Sequence, residues 1–161
     1  MTVADAPVVQ PVLLGGDFGV YALARSFHEA YGVTSIVLSH APTVAISRSA
    51  FCRVELATLG KLADTYADRA LVLVANHDLH SEFVARHWDT LSQHYALPFP
   101  PMDVIDRVTD KGAFAQLCDE LGVPTPATRV VSFRDFSSEA PVRPEIPFTF
   151  PVVAKAARGN D

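Results

Sequence analysis

Few residues in this sequence are placed to do chemistry. Its thirteen cations divide into ten arginines and three lysines: Lys61, Lys111 and Lys155. Lys111 sits in Thr109-Asp110-Lys111-Gly112, and Lys155 ends the apolar segment Phe150-Pro151-Val152-Val153-Ala154-Lys155, shortly before Gly159. A compact ammonium beside a glycine-containing stretch is suited to phosphate oxygens. Taken singly, either lysine is more often a surface charge, and Lys61 has no such context at all.

A different chemistry is suggested by Gly15-Gly16-Asp17-Phe18-Gly19, where an apolar run gives way to a helical pattern. Glycines there let a ligand approach the backbone, and a helix start favours an anion or a carboxylate. The plainer alternative is a tight turn needed only for packing. A dinucleotide site would show G-x-G-x-x-G and an acidic residue ending the second strand. This chain has G-G-x-x-G and Ser39-His40 instead, which disfavours a nicotinamide or flavin oxidoreductase.

His80, His87 and His94 recur every seven residues along one predicted helix, with His77 just before it. Neighbours at that spacing are about 10 Å apart along a helix axis, too far to share a metal. They read as half-buried or surface histidines. No G-x-S-x-G turn and no cysteine in a nucleophile setting is present, so Ser/His/Asp chemistry is set aside.

The elements that must position these groups follow from periodicity. Strands are predicted over 11–15, 34–38 and 53–58, and a fully buried one over 70–75. Helices are predicted over 18–31, stopped by Gly32, over 59–69, and as one long element over 79–95 with Val84, Trp88, Leu91 and Tyr95 on one face. Residues 39–50 read as a polar loop. Leu97-Pro98-Phe99-Pro100-Pro101 reads as a linker. Beyond it come a short helix over 103–108 and a helix over 112–121 with Asp110 as N-cap and Gly122 as stop. Strands over 129–133 and 150–155 flank a proline-rich loop over 134–147.

Strands alternating with helices predict an α/β fold, a Rossmann-like parallel sheet flanked by helices over 1–100, with a second unit over 101–161. The last strand either joins the first sheet or opens a sheet completed elsewhere. The second option makes the chain the front part of a larger protein.

Composition narrows the classes further. The net charge is −5, and no Lys/Arg cluster offers a nucleic-acid footprint. No run of about 18 apolar residues is present, so no membrane span is expected. The N-terminus lacks the pattern of a secretory signal, which points to the cytoplasm. Cys52 and Cys118 are then expected to be reduced and structural.

Thr109-Asp110-Lys111, Leu121-Gly122-Val123-Pro124-Thr125-Pro126 and Phe150-Pro151-Val152-Val153-Ala154-Lys155, in that order, resemble the ATP-grasp superfamily. Leu13-Leu14-Gly15-Gly16-Asp17, the helix from Val20 to Gly32, and Ile146-Pro147-Phe148-Thr149-Phe150-Pro151 look like the D-aspartate ligase branch. The resemblance runs from about Pro11 to the end of the chain. It implies a pre-ATP-grasp domain followed by the start of an ATP-grasp domain, and an ATP-dependent carboxylate–amine ligase working through an acyl phosphate.

The resemblance further implies that Lys111 and Lys155 contact ATP phosphates and that the stretch from Ala156 to Asp161 begins a loop over the triphosphate. Gly15, Gly16 and Asp17 would face the substrate. Implied partners are a small carboxylate, D-aspartate or similar, and an amine acceptor in cell-wall synthesis. Mg²⁺ is implied with ligands outside this chain, so the chain alone is expected to be inactive. Two departures are visible: Ala156 stands where relatives often have proline, and Asn76-His77-Asp78 where that branch tends to show Gly-Asp. The competing reading is a non-catalytic Rossmann-like module that binds a small acid or mediates dimerisation, and a homodimer stays open under either reading.

Overall fold

The structure is a computed structural model that describes residues 7–131 and 145–157. Four apolar runs become strands: β1 (Val9–Leu14), β2 (Ser35–Leu38), β3 (Cys52–Glu55) and β4 (Ala70–Ala75). They pair in parallel in the order β3-β2-β1-β4. Parallel neighbours need crossovers, and α1 (Phe18–Tyr31), α2 (Val44–Ser47) and α3 (Leu59–Thr65) lie in them. The expected α/β class with a Rossmann-like parallel sheet flanked by helices is what the chain adopts.

Side chains alternate across the sheet with the period of a strand. Val12, Leu14, Ile36, Leu71 and Leu73 pack on one face with Leu62, Ala63, Val84, Leu91 and Tyr95. Leu13 and Val37 pack on the other with Val20, Ala24 and Ile46. Each large apolar side chain so buried stabilises the fold by about 1.5–3 kcal/mol. Helix α1 matches its predicted bounds because both of its ends are chemically marked. The Asp17 carboxylate accepts from the Val20 N–H at 2.9 Å. At the other end Gly32 takes a left-handed φ of 67° and donates its N–H to the His28 carbonyl.

Several expectations need correction. Residues 39–50 are not all loop, because α2 lies within them and buries Ile46. Helix α3 ends at Thr65, short of the predicted 69. Strand β4 is not fully buried: Val72 and Val74 are only half-buried, since β4 stands at an edge of the sheet. That edge is partly covered by Ala96, whose N–H donates to the Leu71 carbonyl at 2.8 Å and whose carbonyl accepts from the Leu73 N–H at 3.0 Å.

The single helix over 79–95 is two, α4 (Asp78–Arg86) and α5 (Trp88–Leu91), parted at His87 (φ −111°, ψ 22°). Val84, Leu91 and Tyr95 are buried as predicted, but Trp88 is 37% exposed. Two anchors beyond α5 account for the break. The Tyr95 hydroxyl donates to the Leu59 carbonyl at 2.6 Å, and Ala96 must reach β4. A straight helix through residue 95 could not meet both demands.

The chain divides into two compact units, the first ending at Met102 and the second beginning at Asp103. The boundary falls at the first residue of α6 (Met102–Thr109), which Asp110 separates from α7 (Lys111–Leu121). The Asp110 carboxylate accepts from the N–H groups of Gly112 and Ala113, both at 2.9 Å. Gly122 closes α7 with φ 67°, and Val123 donates back to the Cys118 carbonyl at 2.8 Å.

The strand expected over 150–155 is absent, and residues 129–131 take no strand either. Residues 132–133, and most of the predicted loop over 134–147, lie outside the described residues. A strand persists only through a ladder with a neighbour, and among the described residues none pairs with 150–155. Among the described residues the sheet of the first unit has four strands, and 150–155 contributes none of them. Both cysteines are free, Cys118 buried and Cys52 half-buried with its thiol pushed up by that burial.

Candidate functional site

The register places Leu14 beside Leu38 and Ala75, and Leu38 beside Glu55. The residues just past these strand ends therefore gather along one edge of the sheet: Gly15 to Asp17, Ser39 and His40, Leu56, and Asn76 and His77. The chain steps outward from β1 through β2 to β3, then returns to the far side of β1 with β4. Ligands of open parallel sheets bind at such a reversal, outside the carboxyl ends of the strands. The crevice here lies between the ends of β1 and β4.

Asp17 and Asn76 bridge it. The Asn76 amide donates to both Asp17 oxygens, at 3.2 and 3.3 Å. The Val20 N–H holds the Asp17 carboxyl below its usual range, slight burial opposes this, and the Asn76 amide adds to it. Asp17 is exposed, so an anion that already caps a helix also faces solvent at the crevice. His77 caps the start of α4, its Nδ1 accepting from the Leu79 N–H at 3.3 Å. The His77 and His80 rings meet edge-on with centroids 6.0 Å apart. His80 is pushed below the ordinary imidazole range, chiefly by burial and then by His77, with Asp17 opposing.

The glycines of this turn are explained first by the chain's own packing. Gly15 has φ 114°, a region side chains rarely adopt, and a Cβ there would stand 3.2 Å from Val20 Cγ2 and 3.4 Å from His80 Cε1. At Gly16 a Cβ would overlap the Ser39 hydroxyl and stand 2.7 Å from the Ala41 carbonyl. At Gly19 it would overlap the Asn76 amide. The glycines clamp the turn between α4 and the segment after β2. The open side of the crevice carries Asp17, Asn76 and His77 instead.

A second hollow of about 330 Å³ lies at the ends of β2 and β3, lined by Leu38, Ser39, His40, Glu55, Leu56, Ala57 and Thr58. It stands at the ends of β2 and β3, away from the strand-order reversal between β1 and β4. For that reason the β1–β4 crevice is the stronger candidate.

Sequence reasoning singled out Gly15, Gly16 and Asp17 as candidates, and the structure sets Asn76 and His80 against them. Asn76 and His80 carry no motif. Only the pairing of β4 with β1 brings residues 59 positions apart, Asp17 and Asn76, into contact. The histidine series is dispersed: His80 is on α4, His87 caps it, and His94 follows α5. Among the described residues no group of three His, Cys, Asp or Glu side chains could hold a metal ion.

The lysine neighbourhood belongs to the second unit. Lys111 is the first residue of α7, and both its backbone N–H and its Nζ donate to the Ala157 carbonyl, at 3.0 and 3.3 Å. Lys155 lies two residues before that carbonyl and is exposed. Two of the three lysines are thus brought to one stretch of chain, although the strand expected to position Lys155 is absent. Lys61 is exposed on α3.

No protein-family model matches the chain. A D-aspartate ligase of Enterococcus faecium (strain Aus0004) is 30% identical over 161 aligned positions, which cover 91% of this chain and 38% of that ligase. The chain therefore spans well under half the length of the relative it matches. Among the described residues no helix is long and apolar enough to cross a membrane. Over nine-tenths of its length this chain is similar to a D-aspartate ligase, as its glycine turn, its D-K helix and its F-P-V-V-A-K segment implied.

Proposed function

We propose that this chain is part of an ATP-dependent carboxylate–amine ligase, with D-aspartate as its acid. The observation that carries the reading is the 30% identity with a D-aspartate ligase over 91% of the chain. The crevice at the strand-order reversal supports it, because that is where a small acid would be expected to sit.

In such a reaction the acid's carboxylate takes the terminal phosphoryl group of ATP, and ADP leaves. An amine then attacks the acyl carbon and displaces phosphate, leaving an amide. Phosphoryl transfer of this kind depends on positioning and charge neutralisation more than on covalent help from the protein. The first unit would hold the acid near Gly15, Gly16 and Asp17. Lys111 and Lys155 would supply positive charge to ATP phosphate oxygens, and the segment from Ala156 onward would lie beside them.

The described residues offer no carboxylate set for Mg²⁺. Its ligands belong, on this reading, to other parts of the protein. The amine acceptor would be a cell-wall precursor. The test is ATP-dependent phosphate release by the intact protein with a panel of small acids and an amine acceptor. D-aspartate is expected to stimulate release above L-aspartate and succinate. Absence of stimulation by every acid in the panel would overturn the reading.

A further inference from the structure

The hollow at the ends of β2 and β3 has no part in the function argued so far. Its volume of about 330 Å³ reaches the size at which small-molecule sites begin. Leu38, Leu56 and Ala57 give it apolar walls, and the fold leaves Leu56 72% exposed. No lysine or arginine lines it, so it does not suit a phosphate or a carboxylate.

Two of its polar groups already serve the chain. The Ser39 hydroxyl accepts from the Ala41 N–H and the Thr58 hydroxyl from the Lys61 N–H, both at 3.2 Å. Glu55 differs. Its Oε1 is clamped twice, by Arg53 Nε at 2.8 Å and by the Tyr66 hydroxyl, which donates at 3.3 Å. Arg53 also donates to the Tyr66 hydroxyl, and its guanidinium lies over the Tyr66 ring, 5.3 Å from the centroid. These three side chains fix one another, and Glu55 Oε2 takes no hydrogen bond from the described residues.

An oriented acceptor beside apolar walls calls for a donor on an aliphatic stem. A primary amine supplies two or three N–H groups where an alcohol supplies one O–H. Ser39 sets this hollow beside the glycine turn. Its hydroxyl lines the hollow and also fills the place that a Cβ on Gly16 would take.

Resting on the ligase reading above, we propose that the β2–β3 hollow seats the amine acceptor as a primary amine on an unbranched aliphatic stem, with Leu38, Leu56 and Ala57 against the stem and Glu55 accepting from the amine. Arg53 balances the charge of Glu55, so the carboxylate accepts from the amine without holding it as an ammonium. That matters because only the neutral amine has the lone pair that attacks an acyl carbon.

The experiment is an NMR titration of the 161-residue chain with n-pentylamine, pentan-1-ol and pentanoate, which share one stem length and differ in the head group. Pentylamine is expected to move the backbone amides of Ser39, Leu56 and Ala57 and the His40 ring signals, and to leave the Asn76 side-chain amide in place. Pentan-1-ol should bind about tenfold more weakly, the effect of one hydrogen bond to a charged group. Pentanoate should not bind. Glu55→Gln should weaken pentylamine about tenfold and leave pentan-1-ol little changed. Leu56→Ser, at an exposed position, should weaken both about threefold, the effect of about 30 Å² of lost apolar contact. In the intact protein Glu55→Gln should raise KM for the amine acceptor about tenfold and leave KM for D-aspartate and ATP unchanged.

The proposal is overturned if pentylamine leaves the hollow's resonances in place, if pentan-1-ol or pentanoate binds as well, or if both variants bind pentylamine like the unsubstituted chain. The two readings fail separately. Pentylamine in the hollow of a protein that releases no phosphate with any acid would keep an amine site and overturn the ligase. Acid-stimulated phosphate release with an unchanged amine KM in Glu55→Gln would do the reverse.

Discussion

The two units of this chain are held by different physics. The first buries both faces of a parallel sheet and sets its crevice with backbone and side-chain hydrogen bonds across strands. Among its described residues the second has two helices with Ile105 and Cys118 as buried apolar side chains, and α7 is fixed at both ends by caps. Its candidate phosphate cations are exposed, and Val153, in the segment leading to Lys155, is 82% exposed. The contrast teaches that the candidate crevice is prebuilt by long-range packing. The lysines are brought near one another by a helix start and a local backbone contact, with little burial behind them.

Core truncation is the strongest way to break that comparison. Leu73→Ala removes a fully buried side chain from β4 and should cost about 2–5 kcal/mol, a large part of a typical domain's stability. Chemical denaturation followed by amide signals of the first unit would measure it. Ile105→Ala should instead loosen α6 and leave the sheet's signals in place. Loss of the sheet on Ile105→Ala would show that the units do not stand apart energetically.

Lys155→Ala tests the second unit's chemistry. If the ammonium meets developing charge on phosphate, phosphate release by the intact protein should fall about 10²–10³-fold, with its fold unchanged because Lys155 is exposed. Lys61→Ala, on the surface of α3, should leave the rate alone. A smaller effect is expected at the cap: Asp110→Ala leaves the Gly112 and Ala113 N–H groups without their acceptor and should cost about 0.5–2 kcal/mol, read as fraying of α7 by hydrogen exchange.

The pH responses are the finest test, and both lie in the first unit. Tyr95 is buried and its hydroxyl is pushed up to about 12 by that burial. Its folded value exceeds the unfolded one, so its contribution is complete below about pH 10 and is lost as pH rises toward 12. Tyr95→Phe should remove this alkaline sensitivity while giving up the bond to the Leu59 carbonyl. His80 has the opposite sign. Its folded value is depressed, so stability is present above the unfolded histidine value and declines as pH falls through the folded one. An NMR titration should show His80 protonating at lower pH than a free imidazole.

Much of the fold was legible because its signals are local. Asp17 and Gly32 mark α1, Asp110 and Gly122 mark α7, and ALVLVA forms a strand wherever it finds a partner. The failures share a cause as well. Periodicity carried a helix through His87, where Tyr95 and Ala96 demanded a break. An apolar run at 150–155 read as a strand, though a strand needs a neighbour that no local pattern supplies. The site was half legible for the same reason. Gly15, Gly16 and Asp17 lie together in sequence, whereas Asn76, His80 and Thr43 reach them only through strand order and a crossover.

The central claim is a division of labour, with acid on the first unit and phosphate on Lys111 and Lys155 of the second. Three lysines make it directly measurable, because Lys61 is an exposed internal control. The intact protein would be treated with an amine-reactive reagent, with and without ATP, and the modification of each lysine followed by mass spectrometry. The account predicts that ATP slows labelling at Lys111 and Lys155 and leaves Lys61 unchanged. Equal labelling of all three lysines with and without ATP would contradict it and favour a non-catalytic acid-binding module.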